Sequence, residues 1–406
     1  MTENTSPINQ NRSASMNDCG GTCYQINLQR TFGGGEVYTH FFSKALQTLG
    51  RDVVLFTSRH ASFWYDLLMD GVHIVPVVNT DEIIEHLPQH RSLIVAHAPV
   101  QGKLLAVLRK HRYCCFAHMP LFERQPDPFR HCDVILGVSQ YVLETLRNKG
   151  LNNYYPEPLY GVADLDRNRS QAGRTINKQP LYDWDQRKVR DRLLGLVYPL
   201  FWPLKRKQHF ERRNDLTIGI VSRITTIKQF PLLFSIIAPI IARYPGVSIE
   251  IFGSGGYASV RDLERSLRPI RHQVRFWGRQ DNVAEIYRQL DFVMTGLPEK
   301  EALGLNIIEA QTCCTPVLAV RAPPFTETVL DGRTGLLYTD PRIDDGRDFE
   351  RVLSALLRGM KAPDPKREIA HLRRFSFENF VERVQKALNE ITKNQTLSGP
   401  CQKSVS

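Results

Sequence analysis

The stretch Phe292-Val-Met-Thr-Gly296-Leu-Pro-Glu299-Lys-Glu301-Ala-Leu-Gly304-Leu-Asn-Ile-Ile-Glu309-Ala310 reads as a strand, a loop and a helix that starts near Gly304. A strand running through a loop into a helix is half of a parallel βαβ unit. Glu301 stands in the loop and Glu309 about two turns into the helix, roughly 12 Å away at 1.5 Å per residue. Between them the helix N-terminus offers free N–H groups and the positive end of its dipole to an anion. Two carboxylates that accept hydroxyl hydrogen bonds, flanking an anion site, meet the needs of a nucleotide diphosphate sugar. Taken alone, the spacing also describes two solvated glutamates.

The same rhythm extends in both directions. Tyr24–Leu28, Val53–Phe56, Val72–Val78, Leu93–Ala96, Cys114–Phe116 and Val134–Val138 read as strands, with helix-period segments such as Glu36–Leu49 and Lys103–Lys110 between them. A second series comprises Ile218–Ser222, Val247–Phe252, Val274–Phe276, Phe292–Thr295, Pro316–Val320 and Gly335–Tyr338, interleaved with helices such as Phe230–Arg243 and Tyr257–Leu267. The expectation is α/β: two doubly wound domains in tandem. Residues 1–21 are expected to form a disordered leader, 22–165 the first domain, 166–213 a basic insert or linker, 214–365 the second domain, 366–391 a C-terminal helical segment and 392–406 a polar tail.

In open α/β sheets ligands bind beyond the carboxyl ends of strands, so the strand-to-helix junctions come first. Arg223 and Lys228 follow the first strand of the second domain, and two fixed cations beside a helix N-terminus can neutralise a diphosphate. Gly33-Gly34-Gly35 follows the first strand of the first domain and can bring backbone amides close to a phosphate. Gly253-Ser-Gly255-Gly256 looks like a truncated dinucleotide fingerprint. The acidic residue that NAD requires is missing, because the next strand ends in Trp277-Gly278.

Charge is unevenly spread. The chain of 406 residues is 42% hydrophobic and 23% charged, with 53 Lys+Arg against 42 Asp+Glu and a net charge of +11. Of that, +8 lies in residues 166–213, which disfavours an evenly basic nucleic-acid binder. Within the insert, Arg187, Lys188, Arg190 and Arg192 precede an apolar run with Tyr198 and Trp202, and Lys205-Arg206-Lys207 follow. Such a composition suits a segment lying on an anionic membrane surface, so 182–207 is the expected membrane contact. No stretch reaches the ~18 apolar residues of a spanning helix, and the polar N-terminus lacks a signal-peptide core, so a cytoplasmic protein peripheral to the inner membrane is expected. The eight cysteines lack metal-ligand spacing and read as reduced buried thiols. Asp340 and Asp344-Asp345 read as a solvated loop.

Together these residues resemble the retaining family 4 nucleotide-sugar glycosyltransferases of the GT-B fold, of the bacterial cell-surface polysaccharide type. The resemblance covers about residues 22–165 and 214–390. Its most specific part is Glu301 to Glu309, continued by Cys314-Thr-Pro316-Val317 and by Glu327-Thr-Val-Leu-Asp331-Gly332-Arg-Thr-Gly335. Supporting parts are Ser222-Arg223…Lys228, Phe252-Gly253-Ser-Gly255, Gly33–Gly35, Val138-Ser139 and Tyr160-Gly161-Val162.

The resemblance implies two facing Rossmann-like domains with a cleft between them and a C-terminal helix crossing back to the first. It implies a donor-sugar contact for Glu301, a ribose contact for Glu309 and a diphosphate-binding pair in Arg223 and Lys228. Amides around Gly304, Leu305 and Asn306 would cap the distal phosphate, Gly34 and Gly35 would approach it from across the cleft, and Gly253 would line the donor site. His118 resembles the family's active-site histidine, and His97 is a weaker candidate. Implied too is transfer from a UDP- or GDP-sugar, with retention, to a glycan, lipid-linked or lipopolysaccharide acceptor, with no obligatory metal or other cofactor. The departing phosphate would take the acceptor proton. Three departures, Leu303 for an aromatic residue, Ser222 for glycine and Gln229 for glycine, bear on donor identity. The alternatives are a sugar-nucleotide epimerase of the same fold and a non-catalytic sugar-nucleotide-binding scaffold; the intact Glu301–Glu309 pair favours catalysis.

Overall fold

The structure, a computed structural model, describes residues 21–67, 70–163, 175–184, 208–213 and 216–396, together with residues 189, 191, 193 and 195. Among them twelve strands form two wholly parallel six-stranded sheets. The first holds β1 (Cys23–Asn27), β2 (Val53–Ser58), β3 (Val72–Val77), β4 (Leu93–Ala96), β5 (Arg112–Ala117) and β6 (Val134–Gly137) in the order β3-β2-β1-β4-β5-β6. The second holds β7 (Leu216–Val221), β8 (Val247–Phe252), β9 (Val274–Phe276), β10 (Phe292–Met294), β11 (Val317–Val320) and β12 (Gly335–Tyr338) in the order β12-β11-β10-β7-β8-β9.

Both sheets have one winding, in which the first and fourth strands lie side by side and the chain turns in opposite directions from them. A crevice opens beyond the carboxyl ends of such a strand pair. The four junctions that matter are therefore those after β1 and β4 and those after β7 and β10. Every residue of β8 is buried, as expected of a parallel strand covered on both faces. The Phe230–Ile241 helix supplies part of that cover through Phe230, Leu233, Phe234, Ile237 and Ile241.

The core under the first sheet includes Phe380, Val384, Ala387, Leu388 and Ile391 of the last helix, Phe377–Thr396. Their spacing is one face of a helix, and that face lies on the first domain, so the chain crosses back to it. Phe377 and Phe380 meet Phe41 and Tyr38 of the Gly34–Thr48 helix at ring distances of 6.2 and 5.5 Å. The two facing α/β domains and the returning helix are the GT-B arrangement. The helix runs past Leu388 to Thr396 and takes in the start of the expected polar tail. No Gly or Pro interrupts Asn389–Thr396, and Ile391 still reaches the core.

Two smaller expectations also change. Asp340 caps a short helix, accepting from the Arg342 amide at 3.0 Å, while Asp344 accepts from the amides of Gly346 and Asp348 at 2.9 Å each. They are turn-forming groups rather than a solvated loop. Cys23, Cys114, Cys115 and Cys132 are buried free thiols, but Cys314 is exposed in the turn that ends the Leu305–Thr312 helix.

The ends of the insert belong to the second sheet. Ile176 and Phe210 are buried in its core, and the Phe210 amide donates to the Ile176 carbonyl at 2.8 Å. Phe210 and Trp277 flank Arg275, which grips the fully buried Glu250 of β8 with bonds of 2.6 and 2.8 Å. Tyr182 bridges Gly255, with the Asp183 amide donating to the Gly255 carbonyl at 2.9 Å. Most of the basic run expected to contact a membrane, residues 185–188 and 196–207, lies outside the described residues.

Candidate active site

Arg223 and Lys228 leave the end of β7, while Glu301 and Glu309 follow β10, so the adjacency of these strands brings both groups to one place. Glycine permits the close packing of those loops. A Cβ on Gly296 would stand 1.8 Å from the Lys228 carbonyl oxygen, and one on Gly253 would stand 1.9 Å from that of Ser222. The loop carrying both cations therefore rests on bare backbone at each of its ends.

Gly304, at φ 80°, is the N-cap of the Leu305–Thr312 helix and lies in the left-handed region that glycine tolerates. No side chain caps this helix. The Ile307 amide turns back to the Gly304 carbonyl at 3.0 Å, so the amides of Leu305 and Asn306 are left facing out at the positive end of the dipole. The Asn306 side chain ties the helix to the end of β7, donating to the Val221 carbonyl at 3.2 Å.

Around this helix end the charges are already arranged. Lys228 Nζ donates to Glu301 Oε2, and Glu301 Oε1 accepts from the Ala302 amide at 3.2 Å. Glu309 accepts from the Tyr287 hydroxyl at 2.9 Å. Burial pushes the Glu309 carboxyl up to about 7, against the opposing pulls of the Tyr287 bond and the Lys228 charge. Arg223 reaches across the cleft and donates to the Phe32 carbonyl at 3.0 Å, while the Arg279 guanidinium sits 5.4 Å from the Phe32 ring centre.

The glycine run of the first domain faces this cluster. Gly34 lies against Leu305, and Gly33 against the Arg223 guanidinium and the Glu36 carboxylate. Glu36 is buried, which raises its carboxyl, while amides of its own helix start and Asn27 oppose that shift. An added Cβ would stand 3.5 Å from its nearest neighbours at Gly33 and 3.7 Å at Gly34, and would meet nothing within 4 Å at Gly35, so no Cβ clash requires glycine at this run.

On the first sheet His97 follows β4 and His118 follows β5, so strand pairing sets the two rings together. His97 Nδ1 and His118 Nε2 are 2.9 Å apart, and the rings stack at 12°. Burial holds the His118 imidazole down at about 4, and burial followed by the His118 charge lowers His97 as well. Both rings are neutral at pH 7.

Supporting stretches of the sequence meet across the cleft. Glu327 takes the start of the Gln140–Asn148 helix, its two oxygens accepting from the Gln140 and Tyr141 amides at 2.8 and 2.7 Å. Ser139 Oγ donates to the Ala302 carbonyl at 2.5 Å, and Gly161 packs under Leu305. A cavity of about 280 Å³ lies where the segment after His118 faces the one before Lys228, bounded by Met119, Phe122, Glu123 and Arg124 on one domain and by Thr226, Ile227 and Lys300 on the other. The sequence reading missed Tyr287, Arg279, Phe32, Glu36 and Gln25. Only Glu36 carried a signal, standing three residues after the helix-capping Gly33 where a capping-box acid belongs.

Residues 203–362 match the family model described as "Glycosyl transferases group 1". The D-inositol 3-phosphate glycosyltransferase of Rhodococcus erythropolis is 31% identical over 185 residues, which cover 42% of this chain and 40% of that protein. The N-acetyl-alpha-D-glucosaminyl L-malate synthase of Bacillus anthracis is 28% identical over 134 residues, covering 33% and 34%. The chain thus matches less than half the length of these relatives. Among solved structures, Anabaena HepE in complex with UDP-glucose superposes with a TM-score of 0.66 at 15% identity, covering 91% of this chain and 99% of that one. The apo lipopolysaccharide outer core galactosyltransferase WaaB gives 0.60 at 14%, with coverage of 91% and 99%. These similarities establish the GT-B fold.

Proposed function

We propose that this chain transfers a sugar from a nucleotide-diphosphate donor to an acceptor hydroxyl, with retention of anomeric configuration, in the cleft between its two sheets. The observation that carries the reading is the meeting of Arg223, Lys228, Glu301 and Glu309 at the uncapped start of the Leu305–Thr312 helix, with Gly34 opposite. In this reading the Leu305 and Asn306 amides receive the distal phosphate, and Glu309 accepts ribose hydroxyls with the carboxylate that Tyr287 orients. Glu301 accepts a sugar hydroxyl. Arg223 and Lys228 neutralise the diphosphate and, as the glycosidic bond breaks, the negative charge that grows on it. The leaving phosphate oxygen takes the acceptor proton on the face where attack occurs.

A UDP- or GDP-sugar is the proposed donor. Its support is the likeness in fold to proteins solved with UDP and with UDP-glucose. The proposed acceptor is lipid-linked or a lipopolysaccharide, entering by the cavity that Met119 lines. Arg124 at that cavity, beside the Lys300–Glu123 ion pair at 3.6 Å, suits an acceptor bearing phosphate, and the basic residues of 182–207 suit an anionic membrane surface. The test is incubation of the protein with radiolabelled UDP-, GDP- and ADP-sugars and a lipid extract. Label moving into the lipid phase from one donor supports the reading. No transfer and no donor hydrolysis with any of them would overturn it.

A further inference from the structure

Hydrogen bonds behind the cleft run in one direction and decide where the protons of the histidine pair sit. Ser43 Oγ gives its proton to the Thr39 carbonyl at 2.9 Å, so it must accept from Gln25 Nε2, 2.8 Å away. That turns Gln25 Oε1 toward His97 Nε2, at 2.9 Å. An amide oxygen only accepts, so His97 carries its proton on Nε2 and presents a bare Nδ1. Thr39 Oγ1, 3.1 Å from that Nδ1, gives its own proton to the Gly35 carbonyl at 2.9 Å and accepts from Asn27 Nδ2. The proton that closes the 2.9 Å contact between the rings must then come from His118 Nε2.

The surroundings hold this arrangement. Gln25, Thr39 and Ser43 are fully buried, and His97 is 7% exposed. Phe42 and Phe116 pack against His97, and Phe116 and Tyr38 against His118. Tyr38 is the titratable group among these rings; its hydroxyl donates to the Leu159 carbonyl at 2.7 Å. No carboxylate lies among these neighbours to pull a second proton onto the pair.

We propose that His97, oriented by Gln25, is a positioning residue that fixes His118 as the Nε2–H tautomer, leaving His118 Nδ1 bare to accept a hydrogen bond from a donor-sugar hydroxyl. The proposal rests on the reading of the cleft as a sugar-transfer site and adds to it a directional chain of hydrogen bonds, in which His118 donates to His97, His97 to Gln25 and Gln25 to Ser43. It explains why a polar chain is buried behind a histidine that packing alone would hold.

The test uses the full-length protein labelled with ¹⁵N-histidine, read by NMR without substrate, alongside turnover of a nucleotide sugar. The expected wild-type signature is a protonated Nε2 and an unprotonated Nδ1 on His118 from pH 6 to 8. His97→Phe should give mixed His118 tautomers and lower kcat about tenfold, with the donor KM changing much less. His97→Asn, whose Oδ1 can accept where Nδ1 did, should restore both the signature and most of kcat. Gln25→Leu should behave like His97→Phe. A wild-type His118 protonated on Nδ1, or unchanged His118 signals in a His97→Phe protein folded by circular dichroism, would overturn the proposal. A wild type that turns over no donor while His118 keeps this tautomer counts against the transfer reading instead, since the nitrogen shifts need no substrate.

Discussion

Lys228 and Glu301 neutralise each other before any ligand arrives, the ammonium donating directly to Glu301 Oε2 at the mouth of the Leu305–Thr312 helix. The pair joins the junction after β7 to the one after β10. In the proposed reaction Lys228 acts on the leaving diphosphate and Glu301 on the sugar, so donor binding replaces this ion pair with bonds to the ligand.

Removing the ammonium should therefore cost chemistry more than recognition. Lys228→Ala is expected to lower kcat by about 10²–10³, the scale seen when one charge-stabilising group is removed. Acceptor KM should change by less than about threefold. Steady-state kinetics with the acceptor varied will check this, and wild-type kcat in the variant would remove Lys228 from the leaving-group role.

With Glu309 on the ribose, as proposed, donor binding should depend on pH near neutrality. Its carboxyl ionises at about 7, and ribose hydroxyls donate to the ionised form, so donor affinity should rise from pH 6 to 8. Tyr287→Phe deletes a bond that favours the carboxylate, so the midpoint should move to higher pH. Stability runs the other way. With the folded value raised above 4.5, the stabilisation present at low pH is lost as pH climbs toward about 7. Donor titrations at several pH values decide it, and an unmoved midpoint in Tyr287→Phe would contradict the assignment.

Glu327 closes the cleft from the far side, both oxygens on amides of the opposing domain. Bonds to a charged acceptor contribute about 1.5–3 kcal/mol each. Glu327→Ala should open the domains, visible as a larger radius of gyration in small-angle scattering, and raise donor KM about tenfold. An unchanged scattering profile would show that other interactions suffice.

Glu250 tests the scaffold apart from the chemistry. Its fully buried carboxylate holds Arg275 and the Trp277 indole, and through them the 208–213 segment. Leaving Arg275 without it should cost about 3–5 kcal/mol in denaturant unfolding. Donor KM should stay as it is below the new transition.

Membrane docking is best probed by charge. Tyr182 packs at a tilt against Trp184 and Tyr257, with ring centres 5.1 and 5.7 Å away, so cutting out 182–207 would disturb the packing of the second domain. Reversing Arg187, Lys188, Arg190 and Arg192 to Glu should abolish sedimentation with anionic vesicles, since each basic residue contributes about 1 kcal/mol. Turnover of a soluble acceptor should persist. Equal sedimentation of the variant would end the membrane reading.

How legible all this was in the sequence depended on whether the signal was local. β4, β8, β9 and β12 are found with the limits their apolar runs gave, because a parallel strand is marked by its own residues. Glu301 and Glu309 were legible as spacing along one loop and helix. Tyr287, Gln25 and the Arg223–Phe32 contact were not, since each depends on tertiary packing: Tyr287 meets Glu309 across two packed helices, Gln25 meets His97 across paired strands, and Arg223 meets Phe32 across the cleft. Glu327 lay in a stretch already singled out, but its partner, the start of the Gln140–Asn148 helix, is 187 residues away.

Everything proposed for the cleft requires Arg223, Lys228, Glu301 and Glu309 to hold a nucleotide diphosphate sugar at the start of the Leu305–Thr312 helix. Calorimetric titration of wild type and of the Arg223→Ala, Lys228→Ala double variant with UDP- and GDP-sugars tests this most directly. The wild type should bind one such donor saturably, and the variant at least about a hundredfold more weakly, because it lacks both cations that would make charge-assisted hydrogen bonds to the diphosphate. Binding of equal strength by both proteins, or of no nucleotide sugar by the wild type, would contradict it.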